Sequence, residues 1–335
     1  MKSIAEEPRG RGAEDQRRGG AEVSGGEEER KGRGAEGKRS GGAELSEGIS
    51  QQNLVSSAPP LPYSSAPLLP CSSAPLPLRS SANTVTVAGI PVANLSEDEA
   101  VAVIDKLISE GGSHYGAVVN AAKIVAADRD EKLKRALLEA DLVTADGMSV
   151  VWASRLLGPG LKQRITGIDL FELLVEHAAK QGLSIYCLGA REESVRGAVE
   201  QLTIKYPTVR IAGYRNGYFD ESEHQSVCEA IRLSRADLLF VAMGSPKQEH
   251  WIASNVALTG ARFALGVGGT FDHLSGLVRR APRWMQRSGL EWLHRFAQEP
   301  RRLWRRYLIG NTAFIWLVIR QRLRTRRHSR IQKER

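Results

Sequence analysis

Three stretches carry side chains suited to group transfer. In the first, Val241–Glu249, the apolar run Leu238–Met243 is long enough for one buried strand and breaks at Gly244-Ser245-Pro246. Proline holds φ at about −65° and suits the first turn of a helix, so the spacing predicts a helix opening at Gln248-Glu249-His250-Trp251. A strand running out into a helix N-terminus sets polar groups at the carboxyl edge of a sheet, where open α/β folds bind ligands. There Gln248 would offer an amide, donor and acceptor at once; an ordinary solvated loop has the same spacing. In the second stretch, Leu142-Val143-Thr144-Ala145-Asp146-Gly147, Asp146 ends a strand and precedes a helix. It fits a helix N-cap and equally a carboxylate at the ligand edge. The third, Gly266-Val267-Gly268-Gly269-Thr270, would let a backbone approach a phosphate but lacks the P-loop lysine and the Rossmann spacing. Asp128-Arg129-Asp130 has the Asp-x-Asp form of metal-dependent sugar transferases; its place just before a helix favours a cap.

The elements that must position these groups alternate. Strands are predicted at Thr84–Val87 (ended by Ala88-Gly89), His114–Val119, from Leu142, and at Leu183–Leu188, Val209–Ala212, Leu238–Met243 and Arg262–Val267. Helices are predicted from Ser96 to about Ser109, where Ser96 and Glu99 form a capping box, and at Asp130–Ala140, Met148–Leu157, Ile168–Gln181, Glu192–Lys205 and Glu221–Leu233. This alternation argues an α/β fold with a mostly parallel sheet and helices on both faces.

Composition divides the chain. Residues 1–82 read as a disordered low-complexity tail, Gly/Glu/Arg-rich and then a Ser-Ser-Ala-Pro near-repeat, which buries too little apolar surface to offset chain entropy. It is either a functional tail or a mis-called start; no apolar run follows a basic start, so no signal peptide is read. Residues 83–278 form the α/β core and 279–335 a basic amphipathic appendage. From Arg279 onward there are 16 Arg and 1 Lys against 3 Glu, a net +14; the whole chain is +9, so the remainder sums to −5. Such a block faces an anionic partner. Cys71, Cys187 and Cys228 have no metal or disulfide spacing, which suits a reducing cytoplasm.

Val119-Asn120-Ala121, Thr144–Val151, Gly167-Ile168-Asp169-Leu170, Gly213 to Gly217-Tyr218-Phe219, Gly244–Glu249, Gly268–Asp272, Arg280-Ala281-Pro282 and Gly289–Arg295 follow in an order that closely resembles the WecG/TagA/CpsF glycosyltransferases, over about Val85 to Arg320. Those enzymes make bacterial surface polymers: common antigen, wall teichoic acid, capsular and exopolysaccharides. The resemblance implies a Rossmann-like core and a metal-independent, inverting enzyme without a cofactor. It implies transfer from a UDP-sugar donor, often of N-acetylmannosamine type, to a polyprenyl-diphosphate-linked acceptor. It marks Asp146 as general base, Asn120 and Gln248 around the donor sugar, and Asp272 near the nucleotide. Arg295, Arg302 and Arg305 match arginines of an appendage that closes over the site. Some members carry Thr two residues before the Asn; Val118 lacks that hydroxyl, and Ala-Asp-Gly-x-Ser-Val-Val is closer to the common-antigen branch, whose donor is a uronic acid.

The chemistry is self-consistent. A positioned carboxylate takes the acceptor proton, and arginines match a diphosphate in bidentate geometry. Leu308–Ile319 is an apolar run of about a dozen residues, short of the roughly 20 a membrane span needs. With Arg on both sides and Trp and Phe within reach, it suits a helix on the inner face of the cytoplasmic membrane, cytoplasmic and peripheral; an amphipathic helix packed on the core or on a second copy in a homo-oligomer has the same pattern. A nucleic-acid-binding protein is the rival outside the enzyme class, but no known nucleic-acid motif is present, so no nucleic acid partner is expected. Inside the family, a glucosyl or glucuronosyl transferase would use the same machinery.

Overall fold

The computed structural model of the chain describes residues 83–282, 284–285, 291–298 and 300–333, without the side chains at 291, 295, 300–309 and 328–333. The tail expected at 1–82 lies outside the described residues. The described part begins with a hairpin, β1 (Thr84–Val87) paired antiparallel with β2 (Ile90–Ala93). Ala88 and Gly89 between them have φ of 49° and 84°, the paired left-handed conformation whose twist suits a two-residue hairpin turn. The sequence reading ended at this turn and missed β2, because Pro91 cannot donate to a ladder and demotes a strand. Here Pro91 stands opposite Thr86 in a two-stranded ribbon.

The rest alternates helix and strand: α1 (Glu97–Glu110), β3 (His114–Val119), α2 (Ala121–Ala127), α3 (Glu131–Glu139), β4 (Leu142–Ala145), α4 (Met148–Leu157), α5 (Gly167–Gln181), β5 (Ser184–Gly189), α6 (Glu192–Lys205), β6 (Arg210–Arg215), α7 (His224–Ser234), β7 (Leu238–Ala242), α8 (Lys247–Thr259), β8 (Phe263–Gly266) and α9 (Thr270–Leu274). Further along come α10 (Glu291–Gln298) and α11 (Pro300–Lys333). Local chemistry sets several of these ends. Ser96 and Glu99 close the expected capping box on α1, with Glu99 N donating to Ser96 Oγ at 3.2 Å and Ser96 N to Glu99 Oε2 at 2.7 Å. Asp130 caps α3 by accepting from Leu133 N at 3.0 Å, the cap reading of the Asp-x-Asp stretch.

Among the described residues, six strands form one parallel sheet in the order β4-β3-β8-β7-β5-β6. Alternate strand residues feed two cores. Leu238, Phe240 and Ala242 pack with α1, α5, α6 and α9, whereas Leu239 and Val241 pack with α2, α3, α7 and α8. This layering creates a break in the winding. The chain leaves β3 for α2 on one face, and leaves the neighbouring β8 for α9 on the other. Helices diverging from adjacent strands open a crevice at the carboxyl edge, the usual ligand site of such sheets.

The aromatic centre of one core reaches that crevice. Phe171 on α5 meets Phe240 edge-on with ring centroids 4.5 Å apart, and Phe271 on α9 at 6.1 Å. All three are fully buried, so the packing that holds Phe271 also sets its neighbour Asp272.

At the other end of the chain, α11 seats Phe314 and Val318 in the core beside α2. The Gln321 amide completes the dock, with Nε2 donating to Thr86 O at 2.9 Å and Oε1 accepting from Ala88 N at 2.6 Å. The outer side of the same helix leaves Ile315, Trp316, Ile319 and Leu323 exposed, with the Arg320 guanidinium 5.9 Å from the Trp316 ring. No helix among the described residues is long and apolar enough to cross a membrane. Phe171→Ala is expected to cost about 3–5 kcal/mol; a urea titration should show the midpoint falling with its slope retained.

Candidate active site

The sequence-predicted groups reach the carboxyl edge from adjacent strands. Asn120 follows β3 as the N-cap of α2, its Oδ1 accepting from Lys123 N at 3.0 Å. Asp146 follows β4, the neighbouring strand. Its backbone N donates to Val119 O at 2.7 Å, which extends the β3–β4 ladder and puts Asp146 beside Asn120. Asp146 is half-buried. The cap of α4 is Gly147, at φ 112°, a conformation open to glycine and strained for other residues. Asp146 therefore stands one residue outside the cap position, and the N-cap reading of this carboxylate does not hold. Ile165 N donates to Ala145 O at 2.9 Å, so Arg164–Thr166 returns alongside the same edge.

Asp272 lies on the far side of the crevice, in the first turn of α9. Its half-buried carboxylate folds back toward Gly269, where Oδ2 lies 3.9 Å from the point a Cβ would occupy. Gly268, at φ 60°, makes the sharp turn between β8 and α9.

Gln248 lies between these groups, but its amide does not enter the crevice. It is 2% exposed. Its Oε1 accepts from Gly268 N at 3.1 Å, and its Nε2 donates to Glu249 Oε1 at 2.8 Å. The inward turn has a local cause: Gly266 has no side chain, and a Cβ there would come within 2.6 Å of Gln248 Nε2. Gln248 thereby holds the glycine turn that leads to Asp272.

Sequence reasoning missed the groups behind it. Lys123 Nζ donates to Glu249 Oε1 at 2.7 Å and to Val118 O at 2.6 Å. Their side chains are only 7% and 4% exposed. Burial alone would push the Glu249 carboxyl up; the Lys123 ammonium and hydrogen bonds from Lys123, Ser245 and Gln248 together outweigh it and hold the group below the usual carboxylate range. A signal was present in the sequence. Lys123 is the one charged residue in the apolar run Ala121–Ala127, and a buried lysine needs an acidic partner. The identity of that partner, 126 residues away, was not legible.

Two further cations lie near the edge. Arg280 Nη2 donates to Asp169 Oδ1 at 2.7 Å and ties the segment after α9 to the start of α5. Arg164 faces Glu97, whose carboxyl is pushed up by burial and by Asp169 and Asp98, with Arg164 opposing. Arg295 belongs to α10, and Arg302 and Arg305 to α11; their side chains lie outside the described residues.

The model of the glycosyl transferase WecG/TagA/CpsF family matches residues 85–328. An N-acetylglucosaminyldiphosphoundecaprenol N-acetyl-beta-D-mannosaminyltransferase of Bacillus subtilis (strain 168) is 35% identical over 233 residues, 67% of this chain and 87% of the relative. An enzyme of the same name from Bacillus spizizenii is 36% identical over 180 residues, 54% of this chain and 69% of the relative.

Gly266→Ala tests the packing under the glycine turn. The added methyl displaces the Gln248 amide, and overpacking of this kind costs about 1–3 kcal/mol. Denaturant unfolding should show that loss, and an unchanged midpoint would mean that Gln248 moves aside freely.

Proposed function

The chain belongs to the WecG/TagA/CpsF glycosyltransferase family, and from that premise we propose that it transfers a hexose-type sugar from a UDP donor to a polyprenyl-diphosphate-linked saccharide in surface polysaccharide synthesis. The sugar is N-acetylmannosamine, its uronic acid or a close relative. The relatives' name, a mannosaminyltransferase acting on a diphosphoundecaprenol-linked sugar, supports both the sugar class and the acceptor. The observation that carries the reading is the position of Asp146 beside Asn120 at the crevice edge, one residue outside the cap of α4.

In this scheme the acceptor hydroxyl attacks the anomeric carbon from the face opposite the diphosphate. The new C–O bond forms as the bond to the diphosphate breaks. Asp146 takes the hydroxyl proton, UDP leaves with the bonding pair, and the anomeric configuration inverts. Asn120 meets the sugar, and Asp272 lies on the nucleotide side. Gln248 acts by holding the turn between them. Arg295, Arg302 and Arg305 neutralise the charge that grows on the leaving diphosphate, the task a metal ion performs in other transferases.

The acceptor's lipid puts the reaction at a bilayer surface. The exposed Trp316, Ile319 and Leu323 of α11, with Arg320, Arg322, Arg324, Arg326 and Arg327 on the same helix, support docking on the anionic inner face of the cytoplasmic membrane.

Two measurements test this reading. UDP release is followed with a short-chain polyprenyl-diphosphate saccharide and a panel of UDP-sugars that includes the glucose and glucuronic acid donors, because Val118 lacks the hydroxyl some relatives carry. One donor should be turned over, and Asp146→Asn should lower kcat by about 10²–10⁴-fold; release that survives this change removes Asp146 as the base. For docking, the chain should sediment with vesicles containing anionic lipid, and Trp316→Asp with Ile319→Asp should abolish this. Equal sedimentation of the two proteins would exclude α11 as the docking surface.

A further inference from the structure

A buried ion pair joins the two sides of the crevice. On one side, Lys123 lies in the first turn of the helix that Asn120 caps, and its ammonium also holds Val118 O at 2.6 Å, two residues before Asn120. On the other, Glu249 lies in the first turn of α8, one residue after Gln248. The connection is continuous: Val118 O to Lys123 Nζ at 2.6 Å, Lys123 Nζ to Glu249 Oε1 at 2.7 Å, Glu249 Oε1 to Gln248 Nε2 at 2.8 Å, and Gln248 Oε1 to Gly268 N at 3.1 Å. Its ends are the last turn of β3, which presents Asn120, and the glycine turn of β8, which leads to Asp272.

Stability is a weak reason for such a pair. Removing two charges from water is costly, and apolar replacement of a buried pair is often neutral or stabilising. What an apolar pair cannot do is fix directions: the ammonium has three donors and the carboxylate accepts from two partners at one oxygen. Glu249 Oε1 accepts from Lys123 and Gln248 together, so a shift of either helix start moves the other.

We propose that Lys123 and Glu249 are positioning residues for the transfer reaction: the pair sets the gap between Asn120 and the Gly268 turn, and so the separation between the sugar and diphosphate ends of the donor site. This rests on the transferase reading for its catalytic consequence. The structural half, that the pair holds the Gly268 turn, stands without it.

The test compares the full chain with Lys123→Met/Glu249→Leu, which replaces the ion pair with apolar side chains of similar size. Three quantities are read: thermal unfolding, hydrogen–deuterium exchange of the peptide spanning 266–272, and steady-state transfer. The double variant should unfold within a few degrees of the parent. Its 266–272 peptide should exchange faster, because Gln248 has lost the acceptor that orients it. The kcat should fall about 10²-fold with the donor KM changed by less than about threefold, as expected when reacting groups are misplaced and ground-state binding persists. Unchanged exchange overturns the proposal, and so does faster exchange with kcat retained. If the double variant does not fold, Gln248→Met leaves the ion pair intact and cuts its link to the turn, and the same exchange and kcat readouts apply. A parent chain that transfers no sugar from any donor defeats the transferase reading; exchange at 266–272 then decides by itself whether the pair holds the turn.

Discussion

The site depends on a charge pair placed where charges are costly. Lys123 and Glu249 meet at 2.7 Å with almost no access to solvent, and removing one member of such a pair typically costs about 3–5 kcal/mol because the other is left buried and uncompensated. Beyond the pair itself, Glu249 Oε2 is buried without a hydrogen-bond partner among the described residues, while the Lys123 ammonium is held by Val118 O and Glu249 Oε1 by Gln248. Those partners are the backbone and side chain that shape the crevice. The interaction that satisfies the buried charges is thus the one that spaces the crevice walls.

The crevice follows from the winding of the sheet. Adjacent strands β3 and β8 send their helices to opposite faces, so the two helix starts diverge and open a crevice between them. Asn120, Asp146 and the Gly268 turn then occupy one edge with little local distortion, since each ends or follows a strand already buried on both sides. The required irregularities are carried by glycines. Gly147 and Gly268 accept positive φ, and Gly266 makes room for the Gln248 amide. Phe271 anchors the far wall by joining the Phe171–Phe240 contact, so a hydrophobic core and a polar site share one short helix.

The C-terminal helix has two apolar sides with different environments. One is docked through Phe314, Val318 and the Gln321 amide, which pairs with β1 and the hairpin turn as a strand backbone would. The other presents Trp316 and Ile319 among arginines. The sequence pattern had left a core-packed helix and a membrane-facing helix as alternatives. Packing shows one face docked on the core and leaves the other exposed, because the apolar residues cover too wide an arc for a single contact.

The features legible in the sequence are those decided within a few residues. The capping box of Ser96 and Glu99 and the Asp130 cap follow from local hydrogen bonds, and the parallel α/β class follows from the alternation of periods. The ordered motifs, resembling one family, mark the edge residues Asn120, Asp146 and Asp272. Tertiary structure decided what distant residues impose on one another. It returned β1 through Pro91, moved the helix cap from Asp146 to Gly147, turned Gln248 inward and joined Lys123 to a glutamate 126 positions away. Local propensity is computed by the chain over one turn of helix or one strand. The partner of a buried charge is fixed by which elements the sheet order brings together, and that order is a property of the whole fold.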